Sequence, residues 1–244
     1  MKALGATWQC RARPLLGTLV EVGVPDDAGP GCVDAAFAAI AGVQACLSRF
    51  EAGSELARFN ALEAGWCIDA GAHLQAVLGA ARQLRDATAG LFDISCGTGA
   101  DGWWLHGSQL HKRAAGTTLD LGGIAKGYAV DCAVQALQAH GCASGWVNAG
   151  GDLRAFGAAQ LELQLRDEAA GGVRPFAMLG DGAFATSHFT AASRSRLHGT
   201  TRAAHASVAA PACLWADALT KVVAASGDAT HPALARFGAQ AWLH

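Results

Sequence analysis

Apolar residues recur at Val33, Ala36, Ile40, Val43 and Leu47, the three-to-four-residue spacing of one buried helix face. The same spacing predicts helices over 72–87, 127–140 and 214–225, and Gly90, Gly141 and Gly227 follow them as stops. Ser54 stands where an N-cap belongs, directly ahead of the short helical stretch ELARFN. Alternation of apolar and mixed residues predicts a strand over 17–24. Further strands are expected at 146–148, 161–165, 175–179 and 206–210, and 239–243 could close a sheet. Helices and strands interleave without strict βαβ alternation. The expected class is therefore α+β, with a mixed or antiparallel sheet and packed helices.

One stretch, residues 118–157, carries most of the candidate chemistry. It reads as strand, glycine turn, lysine, helix, strand and second glycine turn. Asp120 precedes the pair Gly122-Gly123, Lys126 follows it at the mouth of a helix, and Asp152 follows Gly150-Gly151. Glycines let backbone approach a ligand closely, and a helix N-terminus offers unpaired N–H groups and partial positive charge. Carboxylate, lysine and bare backbone together suit a phosphorylated ligand and a divalent cation. Two nearer-to-hand nucleotide readings fail. Residues 97–102 satisfy G-x-G-x-x-G, but WWLHG after them does not open a helix. Around Lys126 the order is lysine then glycine, with no Ser/Thr following, so it is not a Walker A loop.

Composition narrows the class. The chain has 244 residues, 52% hydrophobic and 16% charged, with a formal net charge of −2, so a sizeable core is available and no basic excess points to nucleic acid. Eight cysteines include no C-x-x-C pair. They are expected to be reduced, mostly core thiols of a cytoplasmic chain rather than zinc ligands or a disulfide framework. No signal-peptide core or apolar run of about 20 residues is visible; a signal removed from the chain would instead imply the periplasm.

LDLGGIAKGYAVD together with VNAGGDLRAFG resembles the ApbE-type flavin transferases, the FAD:protein FMN transferases. PLLGTLVEV, LSRFEAGSELARFN, GLFDISCG and ADALTK resemble further segments of that family in the right order, so the resemblance runs from residue 15 to about 227. It implies one ApbE-type (T-fold-like) α+β domain over 1–244, FAD as substrate, and Mg²⁺-dependent transfer of FMN to a Thr or Ser hydroxyl of a target flavoprotein, with release of AMP. Targets in the family are subunits of quinone or ferredoxin oxidoreductases or related flavoproteins. By the same resemblance Leu16, Phe50, Leu91, Phe92, Asp93, Asp120 and Lys126 would contact FAD. Gly123, through its backbone, and Asp217 would hold the metal. Lys126 would also serve catalysis by neutralising charge on the diphosphate as it is cleaved.

Two departures from the family pattern stand out. The metal-ligating threonine of A-D-A-L-x-T is replaced by Lys221, with Thr220 one place earlier. Positions i and i+4 share a helix face, so Lys221 points where Asp217 points. It either stands in for part of the metal's charge or contacts phosphate directly. The plain alternative is an exposed i,i+4 pair worth about 0.3–0.5 kcal/mol. The second departure is the loss of the family's Asp-Pro segment. It leaves His198 as candidate general base for the target hydroxyl, with His188 as runner-up. Asp152, taken alone, reads as a turn cap. Using water in place of the hydroxyl, the same residues would make an FAD pyrophosphatase, and with Lys221 blocking turnover they would make a non-catalytic flavin-binding protein.

Overall fold

A computed structural model describes residues 2–3, 7–166, 171–189 and 201–244. Its centre is a seven-stranded sheet built from β2 (Trp8–Leu15), β3 (Thr18–Pro25), β7 (Gly145–Ala149), β8 (Asp152–Phe156), β11 (Gly182–His188), β12 (His205–Ala210) and β13 (Gln240–Leu243). Its order is β13-β12-β11-β8-β7-β3-β2. Every neighbouring pair is antiparallel, which resolves the expected mixed-or-antiparallel sheet. Strands β1 (Lys2–Ala3), β9 (Leu161–Arg166) and β10 (Val173–Leu179) form a second sheet, and β4 (Cys67–Asp69), β5 (Trp103–His106) and β6 (Gln109–Lys112) a third.

Five helices follow the apolar spacing. They are α1 (Cys32–Leu47), α2 (Glu55–Ala61), α3 (Ala72–Ala87), α4 (Ala125–Ala139) and α5 (Cys213–Ser226); the short α6 (Ala233–Arg236) has too few residues to show a period. Ser54 caps α2 by accepting the N–H of Ala57 at 2.9 Å. Helix α4 lies on β7 and β8, and α5 on β8, β11 and β12; α1 packs against α4. Val20, Val22 and Val24 of β3 and Val147 and Ala149 of β7 turn to this helical side, alternating with residues on the other face. The other face gathers Trp146, Leu153, Ala155 and Phe184 against Leu161, Leu163 and Leu165 of β9. Gly23 is required there, because a Cβ at that position would stand 2.1 Å from the Trp146 ring.

Of the cysteines, Cys32, Cys142 and Cys213 are buried and Cys10 is exposed, so fewer are core thiols than expected. Among the described residues no helix is long and apolar enough to cross a membrane.

Candidate active site

The segment 118–121, expected as a strand, joins no sheet. It is extended because Asn60 holds Leu119 from both sides. The Leu119 N–H donates to Asn60 Oδ1 at 2.7 Å, and its carbonyl accepts from Asn60 Nδ2 at 2.9 Å. The next residue, Asp120, donates its N–H to the Ile94 carbonyl at 2.8 Å. Three distant segments are thus fixed at the start of α4. Asp120 Oδ1 accepts the N–H of Gly122 at 2.8 Å and its Oδ2 faces Arg49 at 3.1 Å, so the carboxylate closes the glycine turn on one side. Sequence reasoning missed Arg49, since nothing local pairs it with a residue 71 positions away.

Beneath the turn lies a buried ion pair. Lys221 Nζ donates to Asp217 Oδ1, to the Asp217 carbonyl at 3.0 Å and to Ser187 Oγ at 3.1 Å. Asp217 is 0% exposed and Lys221 3%, so the reading of an exposed helical pair is corrected. The face that 217 and 221 share is the one α5 turns to β8 and β11, away from water. Asp217 Oδ2 accepts the backbone N–H of Gly127 at 3.0 Å. Gly127 allows the helices to meet there, because a Cβ would come within 2.2 Å of the Cys213 carbonyl oxygen. Gly123 sits over the Lys221 stem; its Cβ, if present, would lie 3.5 Å from Lys221 Cε and 3.6 Å from Phe92.

A second pair adjoins the first. Lys126 Nζ donates to Asp152 Oδ2 across the α4–β8 contact. Asp152 is therefore the buried partner of a lysine, not the turn cap expected of it. Burial pushes the Asp152 carboxyl up, and the charge of Asp217 adds to this against the pull of Lys126 and Lys221. Burial also acts to raise Asp217, but Lys221 and then Lys126 hold it below the ordinary carboxylate value. Lys126 loses solvation, yet Asp152 and Asp217 hold its ammonium above the ordinary lysine value. The Lys126 side chain remains 31% exposed, so it alone of the four charged groups reaches solvent appreciably. A third buried carboxylate, Asp131, accepts from Arg154 at 2.6 Å and from the N–H groups of Cys213 and Leu214, both at 2.9 Å. It caps α5 from a neighbouring helix, a role hidden from sequence because α5 has no capping side chain of its own.

Of the residues expected to wall the ligand, Phe92 reaches this cluster through Gly123. Leu16 sits with Gly17 in the two-residue β2–β3 turn, both at positive φ (55° and 71°), and donates its N–H to Gln44 Oε1 at 2.7 Å. Gln44 also reaches Glu51, in the loop that carries Phe50. Phe50 is 83% exposed, beneath the Arg49 guanidinium. Phe92 is buried against Gly123 while Leu91 stays exposed, and Asp93 accepts both the N–H and Oγ–H of Ser95. Gly150 brings the β7–β8 turn against Thr18; a Cβ there would meet Thr18 Oγ1 at 2.3 Å. Non-glycine residues at positive φ are strained, and Leu16, Ala89 and Cys96 all occur beside these walls.

The structure so brings Asp120, Gly123, Lys126, Asp217, Lys221 and Phe92 to one end of α4. It does not bring His188 there. Alternation along β11 sends Ser187 toward α5 and His188 to the opposite face, beside His205 with ring centroids 5.3 Å apart. His198 lies outside the described residues. Thr220 does not replace the lost ligand, because its hydroxyl bonds to Ser187 Oγ at 2.8 Å and to the Asp217 carbonyl at 2.7 Å.

An antiparallel α+β frame with a glycine turn set over paired lysines and aspartates at the start of a helix defines the class of fold and site. The particular family follows from comparison. The ApbE family profile matches residues 16–109 and 101–243, and the chain belongs to that family. The fold is shared with the apo form of Pseudomonas stutzeri flavinyl transferase ApbE (TM-score 0.81, 22% identity, 99% of this chain and 92% of that one). It is shared equally with an ApbE protein from Thermotoga maritima (TM-score 0.84, 20% identity, 97% and 94%) and with flavin transferase ApbE from Vibrio cholerae (TM-score 0.78, 19% identity, 91% and 87%). No curated protein matches the chain in sequence.

Proposed function

We propose that the protein transfers FMN from FAD to a Thr or Ser hydroxyl of a target flavoprotein and releases AMP. The observation that carries this is the placement of Lys126 and Lys221, with their carboxylate partners, directly under and beside the Gly122-Gly123 turn in a chain of the ApbE family. In the reaction the acceptor oxygen forms a bond to the FMN phosphorus and the bond from that phosphorus to the bridging oxygen breaks. The hydroxyl proton passes to a base, for which His198 is the candidate, and AMP leaves with the bridging oxygen. Charge accumulates on phosphoryl oxygens along this path, and fixed cations lower the barrier by neutralising it. Lys126, partly open to solvent, would meet the diphosphate. Asp120 and the turn would orient it, while Phe50, Leu91 and Phe92 offer apolar surface to its ring systems.

Mg²⁺, expected from the family, does not fit the residues present. Asp217 Oδ1 is taken by Lys221 and Oδ2 by the Gly127 N–H, and the third position offers an ammonium, which cannot ligate a cation. Among the described residues no group of three or more His, Cys, Asp or Glu side chains could hold a metal. No step is therefore routed through one.

The test incubates the protein with FAD and a flavoprotein subunit carrying an acceptor threonine, of the quinone or ferredoxin oxidoreductase type. The expected result is a mass gain of one FMN on that subunit, with AMP in solution. Free FMN and AMP without protein labelling would replace this reading with a pyrophosphatase, and bound but uncleaved FAD would replace it with a flavin-binding protein.

A further inference from the structure

We infer that Lys221 is a built-in cation, its ammonium occupying the carboxylate where a divalent metal would sit, so that this site handles a diphosphate without a metal ion. The inference deepens the flavin reading and rests on it for the identity of the diphosphate. An ammonium has three N–H donors, and those of Lys221 meet three oxygens: the Asp217 carboxylate, the Asp217 carbonyl and the Ser187 hydroxyl. Carboxylate, carbonyl and hydroxyl are the oxygen types that a hard divalent cation collects. Here they are turned inward on a charge that is covalently part of the chain.

Charge arithmetic agrees with the geometry. Lys126 and Lys221 balance Asp152 and Asp217, so the buried cluster is neutral as it stands. With threonine at 221 the remaining three groups would sum to −1, which invites a cation. With lysine there, an added divalent ion would leave an excess of +2 around Asp217 and Lys221, the two buried members of the cluster that water reaches least. The stem of Lys221 also runs beneath Gly123, so ion entry between that turn and Asp217 would require the side chain to leave its three partners. Thr220, the hydroxyl next to it in sequence, is committed to Ser187 and the Asp217 carbonyl and offers no substitute ligand.

The experiment uses Mn²⁺ as the probe, read by electron paramagnetic resonance on flavin-free protein, and FAD affinity read by flavin fluorescence in EDTA or in Mn²⁺. The native chain is expected to bind no Mn²⁺ at Asp217 and to hold FAD equally under both conditions. Lys221→Thr is expected to gain one Mn²⁺ and to bind FAD about tenfold more tightly with the ion than without it. Adding Asp217→Asn should abolish both gains. One Mn²⁺ bound by the native chain and lost in Asp217→Asn would overturn the inference, as would an EDTA-sensitive FAD affinity in the native chain. The native titration decides the matter even if Lys221→Thr does not fold. If FAD fails to bind in every condition the flavin reading falls, while the Mn²⁺ titration still judges the cation.

Discussion

The two faces of the central sheet are made by the same strands and solve opposite problems. Toward α4 and α5, β8 points Asp152 and Arg154, and β11 points Ser187; each of these polar groups has a partner on a helix. Toward β9 and β10, the alternate residues Leu153, Ala155 and Phe184 build an aromatic and aliphatic cluster with Trp146, Phe176 and Trp242. Buried charge is costly unless paired, whereas apolar burial is favourable in any arrangement that fills space. Concentrating three ion pairs on one face thus gains little stability over a hydrophobic alternative. Such an arrangement is expected where the charges serve a ligand, while stability comes from apolar burial on both faces, with Val20, Val22, Val147 and Ala185 on the helical one and Trp146, Leu153 and Phe184 on the other.

The largest effects should come from single truncations on each face. Asp217→Ala strands the Lys221 charge in the interior and is expected to cost about 3–5 kcal/mol in urea unfolding, with loss of FAD turnover. Trp146→Ala is expected to cost about 3–5 kcal/mol as well, yet to leave FAD affinity unchanged in whatever fraction folds. Equal loss of FAD binding in both would erase the distinction between the faces. Next in size, Asp131→Ala removes both the cap of α5 and the carboxylate partner of Arg154 and is expected to cost at least about 2 kcal/mol, with faster amide exchange in the first turn of α5. Gly23→Ala follows, its methyl pressing on the Trp146 ring; overpacking of this kind costs about 1–3 kcal/mol, readable as a lowered Tm.

A smaller, directional effect concerns pH. The folded-state pKa of Asp217 lies below its unfolded value, so its stabilisation is present above that value and lost as pH falls through the lower folded one. Asp152 is shifted upward and works against this in acid. Lys126 is shifted upward, so its contribution is full below the unfolded lysine value and lost as pH rises through the higher folded one. Asp217→Asn should therefore show a shallower acid loss of stability than the native chain, and Lys126→Met a shallower alkaline one. Unchanged limbs in urea titrations at several pH values would contradict the assignment.

How much of this was legible in the chain depended on whether the signal was local. The helices announced themselves by apolar period, and Ser54 by its place before α2. The pairing of Asp217 with Lys221 followed from their spacing of four, but its burial did not, because that depends on which strands α5 covers. Strand β2 was missed since, as the edge strand of the sheet, it is largely exposed and carries Arg11, Arg13 and Pro14 in place of a run of buried apolar residues. Strand β8 was read as turn because its polar residues, Asp152 and Arg154, are those that point inward. The partners Arg49–Asp120, Lys126–Asp152 and Asp131–Arg154 stand 71, 26 and 23 residues apart and exist only through packing.

The most direct test of the account is anomalous diffraction at the manganese edge from crystals of the native protein grown with FAD and Mn²⁺. The account predicts a flavin dinucleotide whose diphosphate lies along the Gly122-Gly123 turn, with Lys221 still on Asp217 and no manganese peak between them. A manganese peak on the Asp217 carboxylate with the lysine displaced, or a flavin bound far from the turn, would contradict it.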